Sequence, residues 1–221
     1  MNKEQQHEKM LNKIISSAIY EFNSNDYDSV SLNKICERGE FSKGIIYHYF
    51  KNKDELYLEC VNICFDSFFK YFKDNFSEKT TLKTTVIEYL KIRFKFFEET
   101  PQLRGLFFYT ILKSPQHLKK DIDKIKSDLK NLNLNIIKSK LAKSNLKSFL
   151  TLEEAVSFLE IQLNSMNEYF IEEARNTSNF DDIIEKHELF IRKWLNIIFY
   201  GILDEEYCQN NIEEVIDYDD N

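Results

Sequence analysis

The residues best suited to chemistry lie together between Phe41 and Lys53, a stretch that contains no acidic residue. It carries Lys43, Lys51 and Lys53 as well as His48 and two tyrosines. Lysines neutralise phosphates, and tyrosine hydroxyls and helix N-terminal N–H groups donate hydrogen bonds to phosphate oxygens. The stretch is therefore suited to contact with a nucleic-acid backbone.

Residues 31–56 predict the elements that must position these side chains. Ser31 can cap a short helix in which Ile35 lies on the apolar face. Gly39 predicts the end of that helix, and Ser42 can cap a second one. A helix, a glycine-containing turn and a second helix form the helix-turn-helix arrangement, which places the second helix in the major groove of DNA.

The pattern alone leaves two interpretations open, because many helical hairpins contain glycine in the turn. The hairpin either binds DNA or is an ordinary pair of packed helices. If it binds DNA, the residues predicted at the groove are Lys43, Gly44, Ile45, Tyr47 and His48. Those predicted for phosphate contact and capping are Ser31, Ser42, Tyr49 and Lys53.

The segment SKGIIYHYF (42–50), followed by KNKDEL (51–56), resembles the recognition helix of the TetR family of transcriptional regulators and its exit into the fourth helix. The resemblance covers about the first 60 residues; the rest is similar only in helical character and length. Residues at the positions where the family keeps its first two helices are Ile15, Ala18, Phe22, Tyr27, Ser31, Leu32 and Ile35.

Two positions depart from the family pattern. The turn reads Gly39-Glu40 where the family has Ala-Gly, and a non-glycine residue in a left-handed conformation is costly. We therefore expect the turn to be reset around Gly39. Asn25-Asp26 replaces the usual glycine before Tyr27, and because Asn and Asp tolerate turn conformations, the exit of the first helix is expected to be kept.

Composition favours an all-α protein, since the 221 residues include only four glycines and two prolines and are 43% hydrophobic. The resemblance implies a three-helix helix-turn-helix domain at 1–51 and a larger helical ligand-binding and dimerisation domain at 52–203, about nine helices in all. Residues 204–221 carry eight acids and no Lys or Arg, which predicts a disordered acidic tail. With a net charge of −7, DNA binding must depend on local charge and on salt.

Other classes of protein find little support. The sequence has no GxGxxG, Walker A, GxSxG or HExxH motif, so neither an enzyme nor a cofactor is expected. No apolar run of about 18 residues or signal peptide is present, and a cytoplasmic protein is expected. Cys60 and Cys64 are one helical turn apart, either as buried core residues or as a sensor, and the apolar neighbours favour the core.

A group of phenylalanines in the second domain is either core or the lining of a cavity for a small apolar or aromatic ligand. The resemblance implies an inducer pocket in this region. The predicted lining is Phe65, Phe68, Phe69, Phe72, Phe94, Phe97, Phe107 and Phe108.

The last two predicted helices are amphipathic, and Thr151 with Glu154 forms a capping box at the start of the first. They either complete the core or, as the resemblance implies, form a four-helix homodimer interface. The predicted interface residues are Leu159, Leu163, Met166, Phe170, Ile191, Trp194 and Ile198.

Together these features predict a ligand-responsive transcriptional regulator, a repressor that binds a palindromic double-stranded operator as a homodimer. Two recognition helices must then lie about 34–36 Å apart, one turn of DNA. The alternative is a helical adaptor that uses the hairpin to bind another protein.

Overall fold

The computed structural model describes residues 2–77, 81–177 and 179–203. Within these ranges the chain forms nine α-helices and no strand, so the all-α prediction is confirmed. The helices are α1 (Lys3–Ser24), α2 (Leu32–Gly39), α3 (Lys43–Tyr49), α4 (Lys53–Asn75), α5 (Leu82–Glu99), α6 (Pro101–Leu112), α7 (Lys119–Leu141), α8 (Leu152–Asn176) and α9 (Phe180–Ile202). The predicted acidic tail lies outside the described residues.

The chain divides into two compact units. The first comprises Met1–Asp74 and Arg93–Leu129, and the second comprises Asn75–Ile92 and Lys130–Asn221. The helix-turn-helix thus shares a unit with α4, α6 and the first part of α7. A functional boundary after residue 51 stays a prediction.

In the first unit, α1 packs against both α2 and α6. Its contact with α6 is close because Gly105 has no side chain; a Cβ there would overlap the backbone carbonyl of Asn23. The side-chain Oδ1 of Asn23 accepts a hydrogen bond from the Gly105 N–H at 2.7 Å. The adjacent Phe22 and Leu106 are fully buried, so this contact fixes α1 on α6.

In the second unit, α8 packs against α9 through aromatic rings. The ring of Phe170 lies 4.9 Å from that of His187 and 5.5 Å from that of Phe190. An isolated antiparallel bridge joins Leu146 to Leu203, which ties the α7–α8 connection to the end of α9.

Most of the predicted helix signals are confirmed. The hydroxyl of Ser31 accepts from the Lys34 N–H at 3.3 Å, and Thr151 and Glu154 form the capping box. One signal was wrong, because the Ser42 side chain makes no capping hydrogen bond. Pro101 begins α6, and a 3₁₀ turn (Gln116–Leu118) precedes α7.

The turn of the helix-turn-helix also corrects the sequence prediction, since it is not reset around Gly39. Gly39 is the last residue of α2, and Glu40 adopts the left-handed conformation, with φ 49° and ψ 47°. The N–H groups of Glu40 and Phe41 donate to the carbonyls of Glu37 and Cys36, as in a Schellman motif. Gly39 is needed because a Cβ there would overlap the ring of Phe41.

Glycine at position 40 is expected to stabilise the protein. Glu40→Gly removes the steric cost of the left-handed conformation and should raise the free energy of unfolding by about 1 kcal/mol, measured by urea denaturation. Glu37→Gly, at a regular helical position of α2, is the matched control and should lower it by about 1 kcal/mol. A destabilised Glu40→Gly variant would contradict a strained turn.

Candidate DNA-binding site

The recognition helix α3 is anchored on one side and open on the other. Ile46 within it and Phe50 at its end are buried. Ile45 is half-buried, and Tyr47 is 56% exposed. The residues exposed together with Tyr47 are Lys43, Gly44 and His48. The structure therefore brings the predicted groove residues together on the outward side of α3.

The residues predicted for phosphate contact fall into two groups. The hydroxyls of Ser31 and Ser42 lie on exposed residues at helix starts. Tyr49 is half-buried, and its hydroxyl donates to the backbone carbonyl of His7 at 3.2 Å. Lys53 is also half-buried, and its Nζ lies 3.9 Å from the centre of the Tyr27 ring. Burial lowers the pKa of Lys53, and nearby carboxylates oppose that shift.

Asp54, in the first turn of α4, joins three parts of the first unit. Its Oδ1 accepts a hydrogen bond from the hydroxyl of Tyr27, in the α1–α2 connection. The same oxygen lies 3.3 Å from Nε2 of His117, in the 3₁₀ turn before α7. The rings of Tyr27 and His117 are 5.6 Å apart, edge to face. We call Tyr27, Asp54 and His117 the Asp54 junction.

The charge of Asp54 is favoured at this junction. The hydrogen bond from Tyr27 is the main cause that lowers the pKa of Asp54, and His117 lowers it further. Burial, followed by the hydrogen bond to Asp54, raises the pKa of Tyr27, so the phenol stays protonated as a donor. The junction thus holds the start of α4, and with it Lys53, in one position.

Most of the predicted ligand-lining phenylalanines form a packed aromatic cluster between α4, α5 and α6. Ring centres are 4.8 Å apart for Phe65 and Phe107 and 5.0 Å apart for Phe97 and Phe107. Phe69 is half-buried at its edge. The other buried members are Phe68, Phe72 and Phe108.

Phe94 does not belong to this aromatic cluster, contrary to the sequence prediction. Its side chain is 60% exposed, whereas Phe96 is buried with its ring 5.2 Å from that of Phe68. Cys60 and Cys64 are fully buried in α4, and burial raises the pKa of both thiols. The core interpretation of these cysteines is confirmed.

The predicted dimer-interface residues are mostly covered within one chain. Leu159, Met166, Phe170, Ile191 and Ile198 are buried, and Leu163 and Trp194 are half-buried. Five of the seven are therefore core residues of the α8–α9 pair. The homodimer itself stays a prediction.

A different apolar surface of α8 and α9 is open. Its members recur at separations of three, seven and eight residues, which places them on one side of each helix. Ile161 is 60% and Ile197 is 70% exposed. We call this surface the exposed apolar stripe; its members are Phe158, Ile161, Tyr169, Leu189, Phe190, Ile197 and Tyr200.

Two other kinds of site find no counterpart in the described residues. No group of three or more His, Cys, Asp and Glu side chains in this part of the chain is arranged to hold a metal ion. The described helices also lack a segment long and apolar enough to cross a membrane.

A helix-turn-helix whose second helix presents an exposed cationic and aromatic side defines a DNA-binding domain. Residues 14–60 match the family model described as bacterial regulatory proteins, tetR family. The match covers the helix-turn-helix at the N-terminus, so this domain is of the TetR type, in agreement with the predicted resemblance.

A curated relative is similar to about half of the chain. Over 113 residues the chain is 26% identical to the biofilm operon icaADBC HTH-type negative transcriptional regulator IcaR of Staphylococcus epidermidis. The matched stretch is 51% of this chain and spans only 59% of that relative's length.

Solved structures share the fold at low sequence identity. A TetR family transcriptional regulator from Chloroflexus aurantiacus superposes with a TM-score of 0.57 at 20% identity, covering 89% of this chain and 94% of that one. FadR from Bacillus subtilis, in complex with stearoyl-CoA, superposes with a TM-score of 0.53 at 20% identity, covering 80% and 97%.

Sequence reasoning missed several residues at this site. His117 is 63 positions from Asp54, and no periodic pattern links the two. His7 lies in a polar helix start that gives no sign of its packing against Tyr49. The role of Arg38 was missed as well; it pairs with Glu21 at 2.6 Å and stacks on Tyr20 at 3.3 Å, joining α2 to α1.

Removing the phenol hydroxyl at the Asp54 junction is expected to destabilise the first unit. Tyr27→Phe should lower the free energy of unfolding by about 1 kcal/mol at pH 7 because one hydrogen bond to a carboxylate is removed. Because the native pKa of Asp54 is depressed, the hydrogen bond contributes its full stabilisation above the pKa of Asp54 in the unfolded chain, which is about 3.9. That stabilisation is lost as pH falls below this value.

The difference between wild type and Tyr27→Phe should therefore narrow from pH 7 to pH 3 in denaturation experiments. Tyr47→Phe, which removes an exposed hydroxyl, is the control and should unfold like wild type. A difference that stays constant with pH would contradict the role of Asp54.

Proposed function

We propose that this protein is a ligand-responsive transcriptional repressor that binds a palindromic operator as a homodimer. The observation that carries the proposal is the exposed, acid-free side of α3 within a TetR-type helix-turn-helix. The sign of regulation is taken from IcaR, whose name describes a negative transcriptional regulator. A cytoplasmic location follows from the same role, because the operator lies on the chromosome.

The side chains of α3 suit a major groove. Lys43 can donate to guanine O6 and N7, while Ile45 and Tyr47 offer apolar contact to a thymine methyl group. Gly44 is exposed at the start of the helix, so no side chain keeps the backbone there away from the DNA. Ser31 and Ser42 supply hydroxyls for phosphates on either side.

Ligand response is proposed to act through α4. The aromatic cluster includes Phe65, Phe68 and Phe72 in the second half of α4, and the Asp54 junction ties the first turn of α4 to the connection before α7. A ligand that inserts between the rings must displace at least one of them, because they are in mutual contact. If the ligand-bound conformation holds α4 in a position that does not fit DNA, the ligand lowers operator affinity. The size of the decrease is the ratio of the ligand's affinities for the ligand-bound and the DNA-binding conformations.

The proposed ligand is small and apolar or aromatic, since the cluster offers hydrocarbon and ring surfaces. The Bacillus subtilis FadR neighbour was solved with stearoyl-CoA, so long-chain acyl compounds are the first to screen. Release of a preformed operator complex by an added compound is the readout.

The homodimer is proposed to form through the exposed apolar stripe. Contiguous exposed apolar residues on a monomer mark an interaction surface. A two-fold interface uses the same surface on both copies, so α8 and α9 of each copy meet those of its partner. The half-buried Leu163 and Trp194 are proposed to lie at its margin.

Operator binding is the first prediction of this proposal. The protein should bind labelled DNA from its own upstream region saturably in fluorescence anisotropy, and the affinity should fall steeply with salt. Lys43→Ala combined with Tyr47→Ala should weaken binding by about 1–3 kcal/mol for each specific base interaction removed. Lys70→Ala, an exposed lysine paired with Asp66 on α4, is the matched control and should bind like wild type.

Unaltered binding by the double variant would contradict the assigned recognition helix. If selection from random DNA also yields no preferred sequence, the chain is not a DNA-binding regulator, and the hairpin would be better explained as a protein-binding surface.

The exposed apolar stripe gives a second prediction. Ile161→Glu combined with Ile197→Glu should convert a dimer to a monomer in sedimentation equilibrium, because four carboxylates would be buried in a two-fold interface. Phe94→Glu, at a similarly exposed apolar position on α5, is the control and should remain dimeric. A dimeric double variant would contradict this interface.

A further inference from the structure

The second turn of α1 packs against the end of the recognition helix. The imidazole of His7 lies 4.6 Å from the ring of Tyr49 and 6.3 Å from the imidazole of His48, measured between ring centres. His48 and Tyr49 are themselves 5.2 Å apart, edge to face. With the bond from the Tyr49 hydroxyl to the His7 carbonyl, these contacts form one cluster that spans α1 and α3.

The start of α1 is well enough fixed to hold this cluster. Asn2 and Gln5 form a reciprocal capping box, with Oδ1 of Asn2 2.8 Å from the Gln5 N–H and Oε1 of Gln5 3.0 Å from the Asn2 N–H. His7 therefore lies within a capped helix. Its side chain and that of His48 are nevertheless exposed, so the two imidazoles are not there to fill a core.

The position of the cluster relative to DNA follows from dimensions. An α-helix with its side chains is about 10–12 Å across, and the major groove is about 12 Å wide. A helix in the groove fills it, so groups packed against the flank of that helix face the groove wall. The wall is the phosphate backbone, and His7 lies at such a flank of α3.

Resting on the proposed operator binding, we propose that His7 and His48 together bind one backbone phosphate in their charged forms. Operator binding then takes up protons at both imidazoles. Tyr49 is the positioning residue, since its ring lies against both and its hydroxyl ties α3 to α1.

The other charged residues near the pair are lysines and glutamates, so the histidines decide the response to pH. On α1, Lys3 and Glu4 lie one turn before His7, and Glu8 and Lys9 follow it. On and after the other element, Lys43, Lys51 and Lys53 are the charged residues within five positions of His48. Carboxylates and lysines keep their charge between pH 6 and pH 8, whereas an imidazole gains or loses a proton there.

The direction of the effect is fixed by linkage. A phosphate favours the charged imidazole, so binding strengthens as pH falls and the gain is lost as pH rises. If the proton affinity of each histidine rises about threefold on binding, each histidine strengthens operator affinity about 2.5-fold between pH 8.0 and pH 6.0. A dimeric complex has two such histidines at each half-site, so the combined gain in operator affinity is about 40-fold. The salt dependence of binding is steeper at pH 6.0.

The experiment measures operator affinity at pH 6.0 and pH 8.0 across a salt series for wild type, His7→Gln and the His7→Gln/His48→Gln variant. The wild-type ratio of affinities should be about 40-fold, His7→Gln should reduce it to about 6-fold, and the double variant should abolish it. Lys70→Ala, the control that is expected to leave operator binding unchanged, should keep the wild-type ratio. A His7→Gln variant with the wild-type ratio and salt slope would overturn the proposal.

Nuclear magnetic resonance gives a second readout that requires no specific operator. The chain has four histidines, and their ring protons can be assigned with the same variants. Adding a short duplex of arbitrary sequence should move the titration midpoints of His7 and His48 to higher pH. Midpoints that do not move would overturn the phosphate site, whereas loss of operator preference at both pH values with moved midpoints would overturn only the operator proposal.

Discussion

The close approach of α1 to α6 at Gly105 is the contact on which the rest of the first unit depends. The backbones of the two helices are in direct contact there. The Asn23 side chain accepts a hydrogen bond from the Gly105 N–H. Because α2 and α3 are held by α1, this contact sets where the recognition helix can lie. A helix of only seven residues has no stability of its own, so α3 takes its conformation from these neighbours.

Local chemistry reconciles a chain of net charge −7 with an anionic partner. The exposed side of α3 carries no acid, and several acids elsewhere in the first unit have structural roles. Asp54 holds the start of α4, and Glu21 pairs with Arg38. Negative charge in the first unit is thus used to fix helices, while the exposed side of α3 stays cationic and aromatic.

The sequence predicted the helices well because apolar periodicity and capping residues are local signals. The sequence was less informative where a helix has two apolar sides, because it does not show which of them is buried in the core. α8 and α9 are apolar on more than one side, so Leu159 and Ile191 could not be told from Ile161 and Ile197 as core or surface. The Asp54 junction was missed because its members are distant in sequence, and the left-handed Glu40 because strain at a turn depends on the surrounding packing.

The way the first unit is built affects how readily the proposed DNA specificity could be changed. Exchanging residues 1–51 for the helix-turn-helix of a relative would keep α4 and α6 but replace Tyr27 and Asn23, their partners. A functional chimera would have to carry both sides of each contact, which makes the exchangeable module larger than the segment that reads DNA. Specificity in such a protein is more easily altered on the open side of α3 than by replacing the domain.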